Sequence, residues 1–191
     1  MKALMFALLA LLPLSVIAQE SVVAGLSDNQ VSITADFTGS EILIFGAVKR
    51  EVPIEAEPPL QVIITVEGPA GSAVVRRKNR QAGIWRNTEK ARFTRAPTFY
   101  AVASSAPLAE ALSQTDDLRY GISVPQVIRK VGAASSVPDP ENFVAALMRL
   151  RTEAGLYQVQ EGGVVLEEAT LFRTRIAMPA NIAEGVYQTR I

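Results

Sequence analysis

LFRTRIAMPANIAEGVYQTRI, residues 171–191, is the stretch whose reading decides the fold. Phe172, Thr174, Ile176 and Met178 fall on one face of an extended chain, and Leu171, Arg173, Arg175 and Ala177 on the other. Period-two alternation with β-branched and aromatic residues predicts a half-buried strand. Pro179 ends it, because proline cannot donate to a ladder. Asn181 and Gly185 suit a connection, and Val186–Ile191 resumes the extended pattern. The stretch therefore reads as strand, tight polar turn, strand. Gly185-x-Tyr187 at the mouth of the second strand has the form of a tyrosine corner, in which the phenol bonds back to nearby backbone. The alternative is a plain hairpin with a core tyrosine.

Upstream, the chain from Gln19 to about Ser105 reads as a run of short strands. Ser21–Leu26 is the first, and Val31–Phe37 alternates cleanly. Glu41–Val48 is nearly all apolar, which predicts a central strand buried on both faces. Gly46 inside it marks a bulge or a close backbone approach. Pro53, Pro58 and Pro59 make the next connection irregular, and Leu60–Glu67 follows as another strand. Ala73–Arg77 and Ile84–Asn87 pair across Asn79–Gly83, and Ala91–Thr94 and Thr98–Ala103 finish the series. Turn signals at this spacing point to a mainly β fold, a sandwich or a barrel, and with the closing stretch the expectation is an immunoglobulin-like β-sandwich. Strand patterns return at Tyr157–Gln160 and Val164–Glu167.

Between them, residues 105–155 form a helical insertion. Short helices are expected at Pro107–Leu112 and Pro125–Val131. The strongest begins at Asp139 as N-cap, with Pro140 in the first turn. Phe143, Leu147, Leu150 and Ala154 line its apolar stripe, with Val144 and Met148 beside it. Arg149 and Glu153 make an i,i+4 pair, and Gly155 ends the helix.

Residues 1–18 read as a signal peptide, outside the β-sandwich domain of residues 19–191. Lys2 supplies a positive start, Ala3–Leu12 is wholly apolar, and Val16-Ile17-Ala18 offers small residues for cleavage before Gln19. The apolar run is interrupted by Pro13 and Ser15, short of the roughly 20 residues a membrane span needs. Export is therefore expected. The 191 residues carry 19 basic and 19 acidic side chains, so no global attraction to nucleic acid or to an anionic membrane is expected.

The chain has no cysteine and no histidine. Disulfides, thiol nucleophiles, a histidine general base and Cys/His zinc sites are thereby excluded. No Ser-x-x-Lys, phosphate loop or EF-hand spacing occurs, and neither catalytic activity nor a cofactor is expected. Asp116-Asp117 reads as a turn or helix cap. Glu167-Glu168 cannot form a dyad on a strand, where neighbours point apart. Glu51, Glu55 and Glu57 could meet a hard cation, but their proline-rich setting reads as a solvated loop.

One segment stands out chemically. Eight of the chain's 19 cations lie between Arg76 and Arg95, against the single acid Glu89. Arg76, Arg77, Lys78, Arg80 and Arg86 with Trp85 would make a basic patch with an aromatic platform, for an oxyanion, lipid headgroups, a sugar acid or an acidic partner. Arg173 and Arg175 could extend it. The alternative is a solvated edge that discourages sheet aggregation, with Trp85 in the core.

Several segments together carry a family resemblance. They are Val31–Phe37 with Ile44–Val48, Val75–Lys78 with Gly83–Asn87, Phe99–Ser105, and Leu171–Arg175 with Pro179–Asn181. The chain resembles a family of alphaproteobacterial transmembrane proteins with no assigned activity. The resemblance implies a signal peptide, a periplasmic β-rich domain and a C-terminal transmembrane helix. It also suggests an association with a sulfite-exporter-type permease. Nothing follows Ile191, so a fragment or truncated relative is expected, lacking the last strand and the membrane helix, with an open edge at Val186–Ile191. The function expected is a non-enzymatic module on the periplasmic side of the inner membrane, accessory to an envelope or transport complex. The alternative is a binding module for a small anion or acidic glycan.

Overall fold

The computed structural model describes residues 21–27, 38–49, 59–131, 137–168 and 170–191. The expected leader, the strand at Val31–Phe37, the irregular turn at Pro53 and Pro58, and Glu51, Glu55 and Glu57 lie outside the described residues. Half of the structure is strand and 22% is helix. In chain order the strands are β1 Ser21–Leu26, β2 Gly39–Lys49, β3 Ile63–Glu67, β4 Ala70–Gln81, β5 Ile84–Pro97, β6 Tyr100–Ser104, β7 Tyr157–Gln160, β8 Val165–Glu167, β9 Leu171–Pro179 and β10 Gln188–Arg190. Four helices, α1 Leu108–Ala111, α2 Gln114–Tyr120, α3 Val124–Val131 and α4 Pro140–Glu153, lie between β6 and β7.

Two four-stranded sheets and one long hairpin result. Among the described residues the first sheet runs β1-β2-β9-β8, the second β10-β3-β6-β7, and β4 pairs only with β5. β9 forms as its alternation predicts: Phe172, Thr174, Ile176 and Met178 are buried and the residues between them exposed. These inward side chains join Ile64 and Val66 of β3 and Tyr100–Ala103 of β6 in one buried apolar cluster. Two hydrogen bonds stitch the layers at one end. The Gln158 amide of β7 donates to the Ala177 carbonyl at 2.9 Å, and the Thr174 hydroxyl donates to the Gly163 carbonyl at 2.9 Å.

β9 and β10 do not form the terminal hairpin that the sequence suggested. β9 pairs with β2 and β8, whereas β10 pairs with β3 in the other sheet. The connection between them carries the chain from one layer to the other, and it is too long for a two-residue turn. β10 is an edge strand, with no second partner among the described residues.

β2 is central in its sheet, but it is not buried on both faces. Ile44 and Val48 are buried, while Phe45 is 46% exposed, because among the described residues no layer covers the outer face. Gly46 lies in unbroken register with Ala24 and Phe172, so there is no bulge. A Cβ there would sit 2.5 Å from the Val23 carbonyl oxygen and 2.6 Å from the Phe172 ring. Glycine is what lets that ring fold over its cross-strand neighbour.

The helical stretch is a crossover. β6 and β7 are parallel neighbours, and a parallel pair needs a long connection that leaves the sheet and returns. Asp117 links two helices: its carboxylate accepts from the Ile122 and Ser123 amides and from the Ser123 hydroxyl. Asp116 belongs to the cap of α2, where the Ser113 hydroxyl accepts from its amide. In α4, Phe143 and Leu147 are buried, but Leu150 and Ala154 are exposed. The buried apolar stripe is shorter than expected: it ends at Leu147 and Met148, and in the last turn the contact to the body is polar, from Arg151 to the Thr98 carbonyl. Asp139 precedes α4 in a left-handed conformation and makes no side-chain cap bond. Its carboxylate turns towards Arg77 instead, at 3.7 Å. Arg149 and Glu153 pair at 3.0 Å.

Candidate functional site: a cationic β-arm

The basic segment folds as one continuous hairpin. β4 and β5 replace the three short strands expected at Ala73–Arg77, Ile84–Asn87 and Ala91–Thr94, and the turn lies at Ala82-Gly83, not across Asn79–Gly83. Both turn residues have positive φ, 49° and 81°, which is the primed geometry that suits the right-handed twist of a two-stranded ribbon. Bulges interrupt the register between Gly71 and Ala73 and between Arg77 and Lys78.

Register decides which cations meet. Val75 faces Ala91 and Ala73 faces Phe93 on the inner side, against the core. Arg76 opposite Lys90, and Val74 opposite Arg92, therefore take the outer side. Beyond the bulge, Lys78 opposite Asn87 and Arg80 opposite Trp85 continue that outer face. Arg76, Lys78, Arg80, Lys90 and Arg92 form one stripe ending at Trp85. All five cations are exposed, and among the described residues none of them has a salt bridge. Residues 78–88 are exposed without interruption, on both faces of the ribbon. The segment is an arm that stands clear of the body. Trp85 and Ile84, each 66% exposed, sit at its tip.

Two of the expected site residues point elsewhere. Arg86 pairs with Asn79 on the opposite face of the arm. Arg77 faces inward, 2.9 Å from Glu89 and with its guanidinium 4.7 Å from the centre of the Phe143 ring. Glu89 Oε2 is out of solvent and has only this ion pair, without hydrogen-bond alignment. The single acid of the segment is thus turned away from the outer stripe and neutralised at the arm's root. Lys90 and Arg92 complete the stripe. Locating the turn at Ala82-Gly83 would have identified them, because register then follows by counting.

Arg173 and Arg175 belong to the first sheet and not to the arm. Arg173 pairs with Glu167 at 2.9 Å. On the outer face Arg173 stands between Phe45 and Val165, and Arg175 is across from Leu43; the apolar side chains there, Val23, Phe45, Val165 and Leu171, are between 46% and 67% exposed. A shallow hollow of about 380 Å³ lies among Phe45, Ala47, Val165 and Leu171.

Tyr187 holds the crossing between the layers. Its hydroxyl donates to the Ala183 carbonyl, four residues upstream, at 2.7 Å. Its ring lies 5.9 Å from that of Phe99. Gly185 has φ +145°, and a Cβ there would be 2.8 Å from the Pro69 ring, so only glycine fits. Burial raises the Tyr187 phenol above its ordinary range and pushes Tyr157 up to about 12. Tyr100 is raised further still, chiefly by burial. The Tyr157 and Tyr100 hydroxyls donate to the Pro97 and Ile122 carbonyls. They are structural anchors, aimed at backbone and not at a cavity.

Among the described residues no group of three or more acidic side chains could hold a metal ion. No described helix is long and apolar enough to cross a membrane. No curated protein and no solved structure matches the chain significantly. A family model does, over residues 21–191. By its own description that family is "Putative transmembrane protein (Alph_Pro_TM)", and the chain belongs to it.

Proposed function

We propose that the protein is a non-enzymatic, immunoglobulin-like interaction domain on the periplasmic side of the inner membrane, accessory to an envelope or transport complex. The strand order supports the fold assignment. β1-β2-β9-β8 corresponds to the A-B-E-D order of one immunoglobulin sheet, and β10-β3 to the neighbouring F and C strands of the other. The crossing from β9 to β10, pinned by Tyr187, falls where that fold carries its tyrosine corner. Export rests on the leader-like residues 1–18, and attachment to a membrane on the family.

The observation that carries the functional reading is the outer face of the first sheet, which the described residues leave uncovered. A contiguous apolar patch with a polar rim is what a protein partner covers. Arg175, Glu41 and Glu167 border Val23, Phe45, Val165 and Leu171, and Arg173, paired with Glu167, crosses the face between Phe45 and Val165. The partner we assign is another membrane protein of the envelope, with a sulfite-exporter-type permease as the class suggested by the resemblance. A small-anion site in the Arg76–Arg95 segment is less supported. Its cations stand in a row on an open ribbon, whereas small ligands bind where polar groups converge in a hollow.

A photo-crosslinking residue at Phe45 or Leu171, in cells, tests this. Adducts with one membrane protein are expected from both positions and not from exposed Glu141 on α4. A chain that yields no adduct from Phe45 or Leu171 refutes the reading.

A further inference from the structure

We infer that the β4–β5 arm docks on the surface of a bilayer containing anionic phospholipid, with its stripe against the headgroups and Trp85 and Ile84 in the interfacial layer. The inference stands on the arm and is independent of the partner face of the first sheet.

Charge complementarity is the first reason. Five exposed cations share one face with no acid among them, and the one nearby carboxylate, Glu89, is held inward by Arg77. Lys and Arg near an anionic leaflet each add attraction that fades within a Debye length of about 10 Å. From the Val74–Arg92 pair to the Arg80–Trp85 pair the stripe covers seven residues of β4, six steps or roughly 20 Å at strand rise. All of it can lie within reach of one flat surface, but not within one small-ligand site.

The tip is the second reason. A hairpin exposed on both faces has no core to fill, yet its end carries tryptophan and isoleucine, each 66% exposed. A soluble polyanion satisfies the cations and leaves these side chains in water. A bilayer interface takes both, since an indole favours the headgroup layer and aliphatic surface the acyl boundary beneath it. Arg80 stands opposite Trp85, so its guanidinium reaches phosphates at the depth where the indole settles.

Trp85 is the only tryptophan of the chain, so its emission reports the arm whatever else of the protein meets lipid. The full chain is mixed with vesicles of phosphatidylcholine, or of phosphatidylcholine with phosphatidylglycerol. With the anionic vesicles, Trp85 emission should shift to the blue and be quenched by brominated acyl chains, and added salt should reverse both. With the neutral vesicles neither change should occur. Neutralising a stripe cation, as in Lys78→Gln or Arg80→Gln, should weaken binding roughly fivefold each. Trp85→Ala should reduce co-sedimentation with anionic vesicles and leave thermal unfolding unchanged, because residues 78–88 touch no core.

Three results would overturn the inference. One is no change in Trp85 emission with anionic vesicles at low salt. Another is binding in which Trp85 is neither shifted nor quenched. The third is tighter binding to soluble polyglutamate or an acidic glycan than to the vesicles. Each would leave the crosslinking test at Phe45 and Leu171 untouched, so the two readings fail separately.

Discussion

Arg76 and Arg77 are neighbours in sequence with opposite roles, and replacing each by methionine separates them. Arg77 is 32% exposed and its partner Glu89 29%. At that exposure screening leaves the ion pair about 1 kcal/mol. The guanidinium over Phe143 adds about 0.5–1 kcal/mol. Removing it also leaves Glu89 Oε2 dry and unpartnered, a cost of about 1 kcal/mol. Arg77→Met should therefore destabilise the fold by about 2–3 kcal/mol, or about 5–10 °C of melting temperature for a chain of this size. Arg76→Met removes a solvated cation and should stay within about 0.5 kcal/mol of the parent. Thermal and urea unfolding, followed by circular dichroism, read both. Adding Glu89→Gln to Arg77→Met should recover about 1 kcal/mol, since the stranded charge is then gone. Equal melting temperatures for the two arginine variants, or no recovery with Glu89→Gln, would show that the arm's root is not held as described.

Two further outcomes follow from the same packing. Gly46→Ala places a methyl against the Val23 carbonyl and the Phe172 ring, and should cost about 1–3 kcal/mol by overpacking, read by urea unfolding. With Phe172→Leu already present, the added cost of Gly46→Ala should be smaller, because one of the two clashes is removed. Tyr157 has its phenol raised from 10.0 to about 12 by burial. A raised pKa gives stability that is fully present below pH 10 and is lost as pH rises through the folded value. Ultraviolet titration of the native protein should show Tyr157 ionising about two units late, together with alkaline unfolding, and Tyr157→Phe should flatten the stability profile between pH 10 and 12.

The parts of the fold legible in the sequence were those in which local pattern and burial agree. β9 alternates and is buried on one side, so period two gave its faces, its length and its end at Pro179. α4 showed its start at Pro140, its buried Phe143 and Leu147, and its end at Gly155. Period alone could not show what lies across from a strand. Glu41–Val48 is apolar on both faces, as a doubly covered strand would be, yet among the described residues only one of its faces meets another layer. Leu150 continued the helical stripe beyond the surface that α4 packs against.

The arm was legible in composition and hidden in geometry. Eight cations in twenty residues are visible at a glance. Whether they converge depends on the turn, and Asn79 drew the loop too early because asparagine favours turns. Ala82 carries the left-handed conformation in its place, against its usual preference. With the turn moved to Ala82-Gly83, Lys90 and Arg92 join the stripe, and Arg77 leaves it for Glu89. The apolar face of the first sheet left no such mark, since exposed valine and phenylalanine look like core residues in a sequence.

The closing stretch of the chain does more than complete a sheet. Gly185 packs against Pro69, and Tyr187 against Phe99, at the place where β3 gives way to β4. The Pro69 carbonyl accepts from both the amide and the hydroxyl of Thr98, just after β5 ends. β4 and β5 therefore start from a clasp at the body end of their hairpin, and the crossing from β9 to β10 is wedged against it. At the other side of the root, Arg77 ties β4 to Glu89, Asp139 and Phe143. A ribbon exposed on both faces has little stiffness of its own, and an isolated hairpin is marginal in water. Its direction must be fixed where it is rooted, from two sides. The residues that look like a simple strand ending thus help to aim the arm, which is why Tyr187 and Gly185 belong with the functional surface although neither is part of it.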